Sequence, residues 1–168
     1  MRGFTLLEVI CVISIMILIG SLAFFSHHTL KKELNLQRSS YLLAQGLREA
    51  QELAMAMKKF GCPSNLRLVG YGVNLAKDND FFSLRARCQN ETQIQDPEVK
   101  RINFEKGVKI EDLKKDQSKV TSLNIFFYPP DPEVDLEGAT SSEIILAAED
   151  LPESKSITVN SVGLIEIK

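Results

Sequence analysis

The stretch Gly3-Phe4-Thr5-Leu6-Leu7-Glu8-Val9, continued to Phe25 as ICVISIMILIGSLAFF, decides how this chain is read. From Phe4 to Phe25 its only polar members besides Glu8 are Thr5, Ser14 and Ser21, whose hydroxyls can bond back to helix carbonyls. About 22 residues at 1.5 Å each reach across roughly 30 Å of hydrocarbon. A soluble core helix needs one apolar stripe, whereas Val9 to Ile19 is apolar on every side except Ser14, so the pattern predicts a membrane-inserting helix. A carboxylate there costs about 2.5–3.5 kcal/mol on insertion scales, so Glu8 needs a partner and a purpose. A cleavable secretory signal is the rival reading, because Ser21-Leu22-Ala23 is a loose small-x-small site. Against it stand a single basic residue, Arg2, the carboxylate of Glu8 at the head of the apolar run, and Phe24-Phe25 beyond the supposed cut.

Gly3 followed by Phe4-Thr5-Leu6-Leu7-Glu8-Val9 resembles the processing motif of type IV prepilins and type II secretion pseudopilins. The resemblance implies that residues 1–3 are a leader, cut between Gly3 and Phe4 by a prepilin peptidase, with N-methylation of the new Phe4 amine. It also implies an assembly charge pair, since the Phe4 amine is a cation able to offset the Glu8 carboxylate of a neighbouring subunit in low dielectric. The partners implied are the peptidase, other pilin or pseudopilin subunits, an inner-membrane assembly platform and, before assembly, the lipid bilayer.

Outward from the apolar run, Leu36, Ser40, Leu43, Leu47, Ala50, Ala54 and Met57 alternate at spacings of four and three, one face of an amphipathic helix. Lys58-Lys59 suit a helix C-terminus, Gly61 a left-handed cap, and Pro63 forbids continuation. A continuous helix from Phe4 to about Lys59 would be about 80 Å long. The alternative is two helices with a break near Gly20-Ser21 or His27-His28. After Pro63 the period changes to two. Leu66–Leu75 and Phe81–Cys88 read as a hairpin across Lys77-Asp78-Asn79-Asp80, Ile102–Phe104 and Val108–Ile110 flank Glu105-Lys106-Gly107, and Leu123–Tyr128 is stopped by Pro129-Pro130. Glu143–Ala148, Ile157–Asn160 and Leu164–Ile167 close the chain, and Gln89–Pro97 and Pro129–Ser142 read as its flexible segments.

The expected fold class is α+β: a type IV pilin-like fold, with a long N-terminal helix, membrane-embedded in its first half and amphipathic in its second, packed on an antiparallel β-sheet head of about seven strands. The expected divisions are the leader 1–3, a transmembrane and assembly helix 4–25, its amphipathic continuation 26–60 and a β-rich head 61–168. The plan resembles the minor subunits of the GspH/FimT type, which implies a single-pass inner-membrane protein with an extracytoplasmic head, later part of a cell-surface or periplasmic filament. Charge counting alone does not fix that orientation, because Lys31-Lys32 oppose Arg2. A membrane-anchored or secreted β-domain that binds a ligand without polymerising, including a DNA-capturing minor pilin, is the other functional reading.

With 20 basic and 22 acidic residues there is no strong field for nucleic acid. The glycine of the last turn, Gly163, is followed by Leu164-Ile165-Glu166-Ile167-Lys168, which supplies one cation where phosphate capture needs several. Lys114, Lys115 and Lys119 read as an exposed turn. Of three cysteines, Cys11 lies in the apolar run, leaving Cys62 and Cys88 as a possible disulfide or as two free thiols. Catalytic signals are lacking: no phosphate loop, nucleophile elbow or zinc-spaced Cys/His set occurs, and His27-His28, at the expected membrane edge, read as facing headgroups or a neighbouring subunit rather than as metal ligands. Asp131, Glu133, Asp135 and Glu137 match no defined calcium loop and read as a solvated turn. The chain is therefore expected to be a structural protein, not an enzyme, without a cofactor.

Overall fold

The protein is described by a computed structural model covering residues 5–63, 65–130 and 133–168, with the side chains of 22–28 and of residue 133 outside the description. One helix, α1 (Leu6–Met55), runs for 50 residues without interruption, so neither break suggested by Gly20-Ser21 or His27-His28 occurs. Thr5 caps its start, its hydroxyl accepting from the Glu8 N–H at 3.4 Å. Its end is a Schellman turn: Met57 N–H donates to the Ala54 carbonyl at 3.0 Å and Lys58 N–H to Leu53 at 3.2 Å, with Met57 at φ 45°. The left-handed residue is therefore Met57, not Gly61. Lys58-Lys59 fall past the last turn, and Met57 leaves the buried face.

Eleven strands follow: β1 (Arg67–Ala76), β2 (Phe81–Gln89), β3 (Ile94–Gln95), β4 (Glu98–Asn103), β5 (Val108–Lys115), β6 (Ser118–Val120), β7 (Ser122–Tyr128), β8 (Glu133–Asp135), β9 (Ser141–Ala148), β10 (Ser154–Asn160) and β11 (Ile165–Ile167). They form two antiparallel sheets. The first has the order β3-β2-β1-β7-β8, with β4 also paired to β2, and the second β11-β10-β9-β5-β6. The chain changes sheet at Glu105-Lys106-Gly107, again between β6 and β7, and again between β8 and β9. Ile102–Phe104 and Val108–Ile110 thus belong to different sheets and do not pair. The segments read as flexible, Gln89–Pro97 and Pro129–Ser142, contain β3 and β8.

These findings correct the expected fold class, a pilin-like helix with a membrane-embedded first half on a single sheet. The chain is mainly β, in two sheets rather than one. Among the described residues no helix is long and apolar enough to cross a membrane. The expectations of a transmembrane helix and of single-pass inner-membrane placement are corrected with it.

The second half of α1 is the shared core element. Leu36, Leu43, Leu47, Ala50 and Ala54 are sealed, at 0–1% exposure, in one cluster with Tyr71, Val73, Leu75, Phe82, Ile125 and Phe127 of the first sheet and Ile110, Leu113, Ile144, Leu146, Ile157 and Val159 of the second. Each such leucine contributes about 1.5–3 kcal/mol through burial. Close approach is bought at Gly46, where a Cβ would lie 2.4 Å from the Phe82 ring. On the far face of the first sheet Gly72 serves likewise, because the Phe126 ring lies over it and a Cβ would meet that ring at 2.5 Å.

Gly46→Ala sets two effects against each other. Helix propensity favours alanine by about 1 kcal/mol, while overpacking the Phe82 ring costs about 1–3 kcal/mol. The ring is fully buried and packed against Phe104, so we expect net destabilisation in urea melts, with Phe82→Leu in the same chain recovering most of the loss. A more stable Gly46→Ala variant would contradict this packing.

Candidate assembly surface

The helix divides by what covers it. From Leu36 onward one face is sealed, but from Leu6 (79% exposed) to Ile19 (62%) every large apolar side chain is bare. The bare residues are Leu6, Leu7, Val9, Ile10, Val12, Ile13 and Ile15 to Ile19, on all sides of the helix. Contiguous apolar surface of this extent marks an interaction site. Its polar members are satisfied locally: Ser14 Oγ donates to the Ile10 carbonyl and Ser21 Oγ to Leu18, both at 2.8 Å. Cys11 is an exposed free thiol on the same segment.

Glu8 is exposed in the first turn, at the third helical position after the Thr5 cap. A carboxylate there complements the positive end of the helix dipole. This local role escaped the sequence reading, although Thr5-x-x-Glu8 has the spacing of a capping box. Gly3 and Phe4, the expected cleavage junction, methylation site and charge partner of Glu8, lie outside the described residues, as do the side chains of His27 and His28.

The helix is fixed to the head by polar ties as well as by the core. Lys32 pairs with Asp150 at 2.9 Å, Asn35 Nδ2 donates to the Lys106 carbonyl at 3.2 Å, and Ser39 Oγ accepts from the Glu105 N–H at 3.1 Å. Cys62 and Cys88 form a disulfide, their Cα atoms 5.8 Å apart. Strand register alone does not bring them together, since Cys88 lies opposite Leu68. Cys62 reaches it from the segment that folds back between α1 and β1.

The charged groups singled out in the head are largely neutralised. Asp135 accepts from Arg87 at 3.3 Å, and Glu137 pairs with Lys115 and accepts from Asn124. Both carboxylates of the expected solvated turn that fall within the description are thus held by protein donors, while Asp131 and the Glu133 side chain lie outside it. Lys114 pairs with Glu143 at 2.9 Å and Lys119 with Asp112, which spends the small basic patch. Arg87 was not anticipated. It grips both oxygens of Asp96 (2.9 and 3.0 Å), donates to Tyr128 Oη at 2.7 Å and lies 3.5 Å over the Phe126 ring. Burial works against its charge, but the bonds to Asp96 and Tyr128 outweigh it and hold the guanidinium above its ordinary pKa. Burial raises Tyr128 despite the pull of Arg87. A hollow of about 320 Å³ beside Lys114, Glu143, Thr158 and Lys168 includes the Lys114–Glu143 pair in its wall. Hydrogen bonds from Lys119 and Lys77 hold Asp112 below its usual pKa, and that from Lys114 lowers Glu143. Such carboxylates stay ionised at neutral pH, away from the range that suits general acid–base exchange.

Asp116 gives the pH signature of the head. Its carboxylate accepts from the Thr140 hydroxyl and N–H and from the Ser141 N–H and hydroxyl, latching the β5–β6 turn to the start of β9, and these bonds depress its pKa. A depressed folded-state pKa contributes stability above the unfolded value of about 3.9, lost as pH falls through the folded one. Asp116→Ala should therefore melt lower at pH 7, and the gap should narrow as the pH falls below the unfolded value and through the depressed folded-state one. A gap independent of pH would exclude the ionised latch. No family model, curated protein or solved structure matches the chain.

Proposed function

We propose that this chain is a structural subunit of a filament of the type IV pilin or type II secretion pseudopilin class, a minor subunit cut by a prepilin peptidase between Gly3 and Phe4 and assembled through its N-terminal helix. The observation that carries this reading is the half-covered helix. One face of Leu36 to Ala54 is sealed by the chain's own sheets, while Leu6 to Ile19 is bare on all sides and belongs to the same uninterrupted helix. A secreted binding module without an anchor has no use for a bare apolar rod of this length. Neighbouring subunits that offer like helices satisfy the rod by mutual burial, and the Gly3-to-Val9 motif names the processing that precedes it. On this reading Glu8 pairs with the Phe4 amine of a neighbour, so that a charge awkward among apolar side chains sets the register between subunits.

Mass spectrometry of the mature N-terminus, on chain expressed with a prepilin peptidase, should find Phe4 first and carrying one added methyl group. An intact Met1, or a start at Phe24, would sink the proposal. Glu8→Ala should leave helix content and the head's melting unchanged while incorporation into filaments falls at least tenfold. Unaltered incorporation would refute the charge register while leaving the processing result intact.

A further inference from the structure

We propose that Asn90 is an acceptor for N-linked glycosylation, its side-chain amide nitrogen taking a sugar from a diphosphate-activated donor. This is independent of the filament reading, because it rests on one hairpin of the head.

Of the eight asparagines only Asn90 is followed two positions on by a hydroxyl residue, in Asn90-Glu91-Thr92. Asn-x-Thr, with x other than proline, is the acceptor sequence for N-glycosylation. A tripeptide this short also recurs by chance, so its conformation and surroundings decide. Asn90 begins the turn between β2 and β3, where its backbone N–H donates to the Gln93 carbonyl at 3.0 Å. Every residue from Gln89 to Gln95 is exposed. The stem below is pinned, since Cys88 is bridged to Cys62 and Arg87 grips both oxygens of Asp96 across the hairpin. A transferase therefore meets a fixed stem and an open tip.

The side chain at that tip is set for the chemistry. Asn90 Oδ1 accepts from the Thr92 N–H at 3.0 Å, the Gln93 N–H at 2.8 Å and the Thr92 hydroxyl at 3.3 Å. Two backbone N–H groups need an acceptor, which fixes the amide oxygen on this side and Nδ2 on the other. Nδ2 itself donates to no acceptor among the described residues, whereas the Nδ2 atoms of Asn35, Asn74 and Asn124 are all engaged. An amide nitrogen is a poor nucleophile because its lone pair is delocalised onto the oxygen. Donors on that oxygen stabilise the charge that gathers there as Nδ2 gives up a proton. The step forms a bond from Nδ2 to the anomeric carbon of the donor sugar and breaks the bond from that carbon to the diphosphate oxygen. The diphosphate leaves with the electron pair, and the Nδ2 proton passes to a base of the transferase.

A glycan here stands clear of the bare rod. β2 starts beside the Asp80 loop, which is tied through Phe104 and Glu105 to Ser39 near the point where α1 enters the head. Its other end is bridged to Cys62, past the close of α1. The nine residues between span about 30 Å. A bulky, solubilising group at Asn90 thus leaves Leu6 to Ile19 free for burial.

The test is glycopeptide mapping by mass spectrometry on the full chain isolated from the cells that make it. The peptide containing Asn90 should carry a glycan on most copies, and enzymatic release in heavy-oxygen water should leave labelled aspartate at this position alone. An Asn90 peptide found only unmodified would overturn the proposal. Thr92→Ala should lower occupancy at least tenfold, whereas Thr92→Ser, which keeps the hydroxyl, should retain it. Asn90→Asp keeps the oxygen that holds the turn and removes the nucleophile, so it should melt as the deglycosylated wild type does and carry no glycan. A glycan that persists on this variant would also overturn the assignment. Blocking the assembly of polyprenyl diphosphate-linked sugars then separates the donors: loss of the glycan assigns a lipid-linked donor and retention a nucleotide-linked one, with Asn90 the acceptor in both.

Discussion

Everything in this molecule depends on one helix face serving two sheets at once. Leu36, Leu43, Leu47, Ala50 and Ala54 lie in a single cluster with inward side chains of both sheets, and the chain changes sheet three times around them. Both sheets close their core on this face, and in the second β9 and β10 alternate between buried and less buried positions and need cover on the buried side. The small residues on the stripe matter as much as the leucines. Gly46 admits the Phe82 ring, and Ala50 and Ala54 allow strands close to the helix axis near its end.

That face was legible in the sequence because a 3.6-residue period survives any tertiary context that buries one side of a helix. The β1–β2 hairpin was legible for the same kind of reason: alternation brackets the polar turn Lys77 to Asp80, and the strands run within a residue or so of the expected bounds. What was not legible is non-local. The division into two sheets turns on whether Glu105-Lys106-Gly107 is a hairpin turn or a corner, and the local residues suit both. β3, β6 and β8 are two or three residues long, too short for a period, and are held by their neighbours rather than by their own composition. The cap at Met57 was misplaced onto Gly61 because propensity favours glycine, while the packing of Ala54 against the core fixes where the helix must stop.

The site followed the same pattern. The apolar run and Glu8 announce themselves in one dimension. Arg87 does not, because its partners Asp96, Tyr128 and Asp135 come from three other segments and its stacking surface, Phe126, from a strand beyond β1. The disulfide lies between these cases: composition left Cys62 and Cys88 as a possible pair, but the fold-back that joins them departs from the hairpin register. The acids of residues 131–137 show why a cluster of carboxylates is weak evidence for a cation, since nearby Arg87 and Lys115 supply the positive charge from within the chain.

The two halves of the helix are unequal in what sustains them. An isolated helix bears the cost of its first turn, and Val9, Ile10, Val12, Ile13, Ile15, Ile17 and Ile19 are β-branched residues with modest helix propensity. The packed half removes the nucleation cost, because its turns are already fixed by the sheets, and the bare half then extends by propagation alone. Thr5 closes the far end, and the Ser14 and Ser21 hydroxyls satisfy themselves on carbonyls within the helix, so no polar group on the rod between Val9 and Ser21 demands water. The head is therefore more than a passenger on the rod. It holds ordered an apolar surface that would otherwise sample other conformations, and a pre-ordered surface loses less entropy when a neighbour covers it.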